Sequence, residues 1–327
     1  MPKTNPPLSY EQLALLFSQL KRLEASGLPA FQAFDILITS EVKLKRPLLT
    51  MRQQLSAGRP ISEAGFNAGI FNDTHKTLIQ AGETSGKLAE IYGQLANYYT
   101  GLSNRVKKVK SRLIFPALVL IIALFVQPLP DLVASKISGF AYLQLSLGRL
   151  IAIGLGILLL IRLPTILSSL GAETAWHRLQ LRIPAVAKWI IKRQLNEFFF
   201  TLAMMLESGI AFAAALPKAV ATIKNSCLRE NFSPALSALA TGASVTDTLA
   251  KVPIINATTL QIVNSSEQSG KLASGILHFT RLESETISLQ DDALAEWLPR
   301  LVYIVIAIWM AYSILGSQFA SVMPSDI

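Results

Sequence analysis

Apolar residues recur along this chain in two ways. In some stretches they return every third or fourth position, as at Leu13, Leu16, Phe17, Leu20 and Leu23, or at Phe199, Leu202, Met205 and Leu206. That spacing gathers them on one face of an amphipathic helix. Leu88, Ile91, Leu95, Tyr98 and Leu102 form another stripe, echoed by Leu272, Ile276 and Phe279, and no segment sustains the alternation of a strand. Elsewhere the apolar residues run on without a break. LIFPALVLIIALFVQPLP, from Leu113 to Pro130, carries no charge, and neither does LVYIVIAIWMAYSILGSQFASVMP, from Leu301 to Pro324. A membrane-crossing helix needs about 20 mainly apolar residues. Each run therefore predicts a span, the first with Pro116 in its opening turn, Pro128 marking its far end and its last residue near Val133.

Another run, LIAIGLGILLLI, lies between Arg149 and Arg162. Its nine Leu and Ile residues favour insertion by roughly 3 to 5 kcal/mol, against about 2.5 to 3.5 for one arginine at the bilayer centre. A helix starting near Tyr142 keeps both arginines away from the centre, with Arg149 snorkelling outward and Arg162 among the inner headgroups.

The chain also repeats itself, and a repeat decides architecture before any single motif does. FSQLKRLEASGLPAFQAF, from Phe17, aligns with FTLAMMLESGIAFAAAL so that Ser26-Gly27-Leu28 falls on Ser208-Gly209-Ile210, an offset of 182. LSAGRPISEA from Leu55 matches LATGASVTDT from Leu239, and GETSGKL from Gly82 matches SEQSGKL from Ser266, both at an offset of 184. Gly27 and Gly209 predict helix ends that turn through the left-handed region, with Pro29 opening the next helix, while Gly58 and Gly242 end a later one. Ser62-Glu63 and Thr246-Asp247 predict the starts of short capped helices.

Composition strengthens the membrane assignment, because 51% apolar and 16% charged residues make 327 residues too hydrophobic for an ordinary soluble protein. Charge then sets the orientation. RVKKVKSR, residues 105–112, places five basic side chains before the first span, whereas the connection after it carries only Lys136. Arg178, Arg182, Lys188, Lys192 and Arg193 follow the second span and Arg300 precedes the last. Cytoplasmic flanks collect Lys and Arg, so the connection and the C-terminus are expected outside. The opening MPKTNPPLSYEQ lacks the apolar core of a signal peptide, and the N-terminus is expected in the cytoplasm. These patterns predict an all-α membrane protein with two repeated cytoplasmic helical-bundle domains, residues 1–112 and 164–297. Three transmembrane helices at 113–133, 142–163 and 298–322 accompany them, with a short external loop at 134–141 and an external tail at 323–327.

Candidate chemistry changes this picture little. GETSGKL invites comparison with a phosphate-binding loop, but such a loop needs four residues between Gly and Gly-Lys, a following Ser or Thr, and a preceding strand. Here three residues intervene, Leu88 follows, and helical patterns flank it. His75, His177 and His278 fit no metal-binding spacing and read as ordinary surface or interface residues. Cys227, the one cysteine, reads as a small buried hydrophobe. No catalytic, metal or cofactor site is expected, and the net charge of +9 reads as membrane anchoring, with no direct nucleic-acid partner. A transporter would place acidic residues in the cores of its spans, and these have none there and show no inverted repeat of membrane segments. For Glu83 and Glu267, at equivalent positions of the two copies, two readings stand. Each carboxylate caps exposed backbone donors, or the pair makes an interdomain or subunit contact with or without a cation.

With GETSGKL and its SEQSGKL partner the chain resembles the inner-membrane platform proteins of type II secretion and type IV pilus systems. Each half of those proteins carries a helix pair around an S/A-G-hydrophobic-P turn, a G-x-S-x-x-E/D-A segment, and a G-E-x-S-G-x-L turn before a long helix that enters the membrane. The matching residues are Ser26-Gly27-Leu28-Pro29, Gly58 to Ala64, and Gly82 to Leu88 with Glu83 and Gly86. In the second copy they are Ser208-Gly209-Ile210, Gly242 to Asp247, and Glu267 to Leu272 with Gly270. Phe115-Pro116 matches the aromatic-proline pair at the family's first span. Ser266 and Ala211 depart from the expected glycine and proline, and the segment before the first repeat is shorter than is usual, which marks a short, divergent member. The resemblance implies a non-enzymatic platform in the bacterial inner membrane that couples a cytoplasmic assembly ATPase to the assembly of pilins or pseudopilins. It also implies a homo-oligomer in contact with other inner-membrane assembly proteins and the lipid bilayer. Lys192 and Arg193 are candidates for docking the ATPase. The alternative is a membrane transporter or membrane-bound enzyme.

Overall fold

The structure is a computed structural model that describes residues 8–40, 44–169 and 173–322. Every regular element among the described residues is a helix. The chain divides into two compact units, one of Met1–Asn104 with His177–Ile287 and the other of Arg105–Trp176 with Ser288–Ile327.

The first repeat runs through α1 (Tyr10–Ala25), α2 (Ala30–Ser40), α3 (Lys45–Ser56), α4 (Ile61–Asn67), α5 (Asp73–Ser85) and the start of α6 (Leu88–Val126). Ser9 and Gln12 close a reciprocal capping box that starts α1. Leu13, Leu16, Phe17 and Leu20, spaced as the sequence predicts, point into the core. Phe17 is wholly buried, and its ring stacks on those of Phe71 and Tyr92 at 6.0 and 6.2 Å. Burying one such side chain contributes about 1.5–3 kcal/mol.

The second repeat follows α7 (Leu129–Val133), α8 (Gly139–Ser169) and α9 (Glu173–Arg182). It comprises α10 (Pro184–Glu207), α11 (Phe212–Ala221), α12 (Ser226–Glu230), α13 (Ser233–Ala240), α14 (Val245–Ala250), α15 (Ala257–Gln268) and the start of α16 (Leu272–Val322). Its glycines at 209, 242 and 270 have φ of 83°, 76° and 67°, matching 72°, 76° and 70° at 27, 58 and 86. A side chain at any of them would be strained, so the turns recur because the backbone requires glycine there. One element differs. The counterpart of α3 is split into α12 and α13, and Pro234 sits in the first turn of α13, where a missing N–H costs least. Both repeats feed one apolar core, Phe34, Ile79 and Tyr92 from the first meeting the cluster that holds Phe198, Leu202 and Phe232 from the second.

In the other unit, α6 continues through residue 112 with no turn, carrying Pro116 inside the helix. α6 ends at Val126 and the short helix α7 begins after Pro128, the proline expected to mark the far end of the first span. The proline explains the break, since it cannot donate to the preceding turn. Two helices are long and apolar enough to cross a membrane among the described residues, Leu88–Val133 and Gly139–Leu159. Their apolar side chains point outward: Ile114 is 69% exposed and Leu155 61%. An apolar surface of that extent is stable against lipid rather than water. For the last expected span, at 298–322, the backbone is helical to Val322, but the side chains of 298, 309 and 312–322 and the tail at 323–327 lie outside the described residues.

Candidate functional site

Glu83 and Glu267 do not sit in the turns where the motif suggests. Each lies in the last turn of its helix, α5 or α15, with Gly82 also helical, and the turn begins after it at Gly86 and Gly270. From there each carboxylate reaches the N-terminus of a different helix. Glu83 accepts hydrogen bonds from the N–H groups of Ile61 (2.5 Å) and Ser62 (3.3 Å) and from the Ser62 hydroxyl (2.6 Å). Glu267 accepts the same set from Val245 N–H (2.8 Å), Thr246 N–H (2.8 Å) and the Thr246 hydroxyl (2.6 Å). An acidic group there meets both the orphan donors and the positive end of the helix. Burial works against the charged form of Glu267, but the bonds from Thr246 and Val245 prevail and hold its carboxyl below the ordinary range. Near Glu83, burial and then the Glu83 charge push the Glu24 carboxyl up. Sequence reasoning missed the partners, although their spacing of 21 and 22 residues recurs in both copies.

Between the repeats lies a cleft of about 670 Å³, bordered by His75, Lys76 and Tyr99 on one side and Glu197, Lys218 and Lys224 on the other. Tyr98 and Phe200 close part of it, their rings stacked at 4.3 Å and 10°. His75, expected at a surface or an interface, is 3% exposed, its ring in an edge-on contact with that of Phe17. Its Nδ1 accepts the Asn72 N–H in a capping box, so Nε2 carries the proton and donates it to the Tyr99 hydroxyl at 2.6 Å. Burial holds its pKa down to about 4, which keeps the ring neutral at pH 7. With both nitrogens committed, the ring has none left for a substrate proton. Burial also pushes the Glu197 carboxyl up, opposed by Lys224.

Of the other singled-out residues, Pro29 lies just before α2, and His177 Nδ1 accepts the Ser226 N–H at 3.2 Å. His278 is exposed, and Cys227 is half-buried rather than buried. Lys192 pairs with Glu283 at 2.9 Å, and the Arg193 guanidinium lies 4.0 Å from the Trp189 ring centre. Both candidate docking residues are thus engaged within the protein.

A duplicated helical bundle whose repeats each end in a long helix, together with outward-facing apolar helices, defines an internally repeated membrane protein. The particular family follows from sequence. The profile of the family described as Type II secretion system (T2SS), protein F matches residues 16–129 and 198–317, one segment in each repeat, and the chain belongs to that family. It is 24% identical to the Type II secretion system protein F of Vibrio cholerae serotype O1, over 97% of this chain and 82% of that protein. It is 28% identical to the Type IV pilus assembly protein PilC of Thermus thermophilus, over 75% of this chain and 65% of that one. With the Type II secretion system protein F of Pseudomonas aeruginosa it shares 25% identity, over 86% and 75%.

Proposed function

We propose that this chain is a non-enzymatic, multi-pass platform in the bacterial inner membrane that couples a cytoplasmic assembly ATPase to pilin or pseudopilin assembly. The observation that carries this reading is the family match in both repeats, 16–129 and 198–317. Supporting it, the paired carboxylates, and His75 with Tyr99 in the cleft, are engaged in internal hydrogen bonds. Three spans at 113–133, 142–163 and 298–322 would place both repeats and the N-terminus in the cytoplasm and the C-terminus outside, with the platform working as a homo-oligomer. Deletion of the gene in its own host tests the role. Pilin precursors and ATPase should persist while no surface filament or pseudopilus assembles, and the purified protein should hydrolyse no ATP. Normal assembly in its absence, or robust hydrolysis, overturns the reading. Phosphatase fusions test the topology separately, with activity expected after Ser138 and none after Thr174.

A further inference from the structure

From Thr174 to Asn196 the chain carries five basic residues and no acidic one. This is where α9 gives way to α10, and Ile183 interrupts the helix with an extended backbone (φ −91°, ψ 111°). Leu181, Ala187 and Ile190 turn inward, while Leu179, Ile183, Val186 and Trp189 stand exposed at 51%, 51%, 37% and 40%. Arg178, Arg182 and Lys188 are exposed beside them, and among the described residues none of these three forms an ion pair. The Arg193 guanidinium covers one face of the Trp189 ring.

Exposed apolar side chains in water are unremarkable when scattered, but four within eleven residues make a patch that must be covered or costs free energy. A rim of cations without acids narrows the cover. A protein groove for this patch would have to supply both an apolar floor and several acidic groups, whereas a bilayer with anionic headgroups supplies both at once. Tryptophan and arginine are the residues that settle at that boundary, the ring in the headgroup layer and the guanidinium reaching phosphate. The patch is also close to the span in sequence, since Leu179 follows the proposed inner end of the second span, at residue 163, by 16 residues.

We infer that Leu179, Ile183, Val186 and Trp189 form a lipid-docking face that lies in the headgroup layer of an anionic membrane, with Arg178, Arg182 and Lys188 against the phosphates. The inference rests on the membrane-spanning reading and not on the assembly role. It would tie the cytoplasmic unit to the membrane surface by a contact separate from the spans.

The single native cysteine makes the test clean. Full-length protein carrying Cys227→Ser and one new cysteine, Leu179→Cys or Val186→Cys, is spin-labelled and placed in nanodiscs of mixed phosphatidylglycerol and phosphatidylcholine. Leu49→Cys, on the exposed side of α3, is the reference. Labels at 179 and 186 should lose broadening by a water-soluble nickel chelate and gain broadening by oxygen, while the label at 49 behaves as fully aqueous. Adding Arg178→Glu and Arg182→Glu should return chelate access at 186, and nanodiscs of phosphatidylcholine alone should do the same. Chelate access at 179 and 186 equal to that at 49 overturns the proposal. So does protection that survives both charge reversal and neutral lipid. Label-to-label broadening that disappears on dilution with unlabelled protein assigns the face to a second copy instead, and protection that appears only on adding the assembly ATPase assigns it to that partner. Any of these leaves the deletion phenotype untouched, so failure here and failure of the platform reading are told apart.

Discussion

Lys108 and Asp292 stand 184 residues apart, the offset that relates the two repeats, and they are bonded to each other. Arg112 and Glu296 repeat the relationship one turn further on, with Arg112 also donating to the Asp292 carbonyl at 2.8 Å. Residues that are copies of one another touch only where the relating axis passes close by, so α6 and α16 meet there as near-symmetric partners. A symmetric pair of lysines at this place would repel. The second copy carries acids at both positions, and the like-charge clash has become two ion pairs.

Reversal of one charge should therefore weaken the contact, and reversal of both should restore it. Lys108→Asp and Asp292→Lys should each lower stability, and the double variant should recover most of the loss. The pair is half-exposed, so the coupling should be about 0.2–1 kcal/mol and should shrink in high salt. Thermal unfolding of the four proteins in one detergent measures it, and strict additivity would show that the pair contributes nothing.

A second exchange between the copies is steric. A Cβ on Gly275 would lie 2.1 Å from the Ser266 Oγ and 2.7 Å from its Cβ, while in the first repeat Gly82 occupies the position of Ser266 and Ile91 that of Gly275. The small residue has changed helices. Gly275→Ala should destabilise by about 1–3 kcal/mol, the usual range for overpacking. Ser266→Gly in the same protein should restore most of it, as denaturant melts would show.

The carboxylate caps make a pH prediction for the second repeat. The Glu267 carboxyl is held below its ordinary value in the folded protein, so its contribution is present above the unfolded value near 4.3 and is lost as pH falls through the folded one. Glu267→Gln and Thr246→Val should each loosen α14 by about 0.5–2 kcal/mol at pH 7. Faster amide exchange across Val245–Ala250, with α4 unchanged, is the expected readout.

His75 acts over a higher window. Its folded value of about 4 lies below the ordinary 6.5, so the unfolded chain binds a proton that the folded protein refuses. Stability from this group is full above pH 6.5 and falls as pH drops toward 4, by about 3 kcal/mol at most. Melting temperatures measured from pH 7 to 4.5 should fall in the native protein, and the slope should flatten in His75→Gln.

The sequence displays what is local and what is copied. Leu13 to Leu20 give α1 by spacing alone, and Gly27, Gly58 and Gly86 announce their turns because only glycine accepts the backbone there. What it hides is which separate elements meet. The capping role of Glu83 depends on α4 folding back beside α5, a relation that periodicity does not encode. Burial of His75 is equally hidden, since a polar ring enters a core only when partners wait for it, here Asn72 and Tyr99. The Asn72-x-x-His75 spacing was a signal for the first of these partners. Opposite charges at repeat-related positions 108 and 292 were also visible, but without the axis they said nothing about contact.

The helix α6 runs 39 residues without interruption from Leu88, in the bundle, to Val126, and α16 runs 51 from Leu272 to Val322. At 1.5 Å per residue, ideal helices of these lengths would measure about 58 and 76 Å. Pro116 and Pro299 each remove one rung from these backbone ladders, so a bend in either helix would fall there.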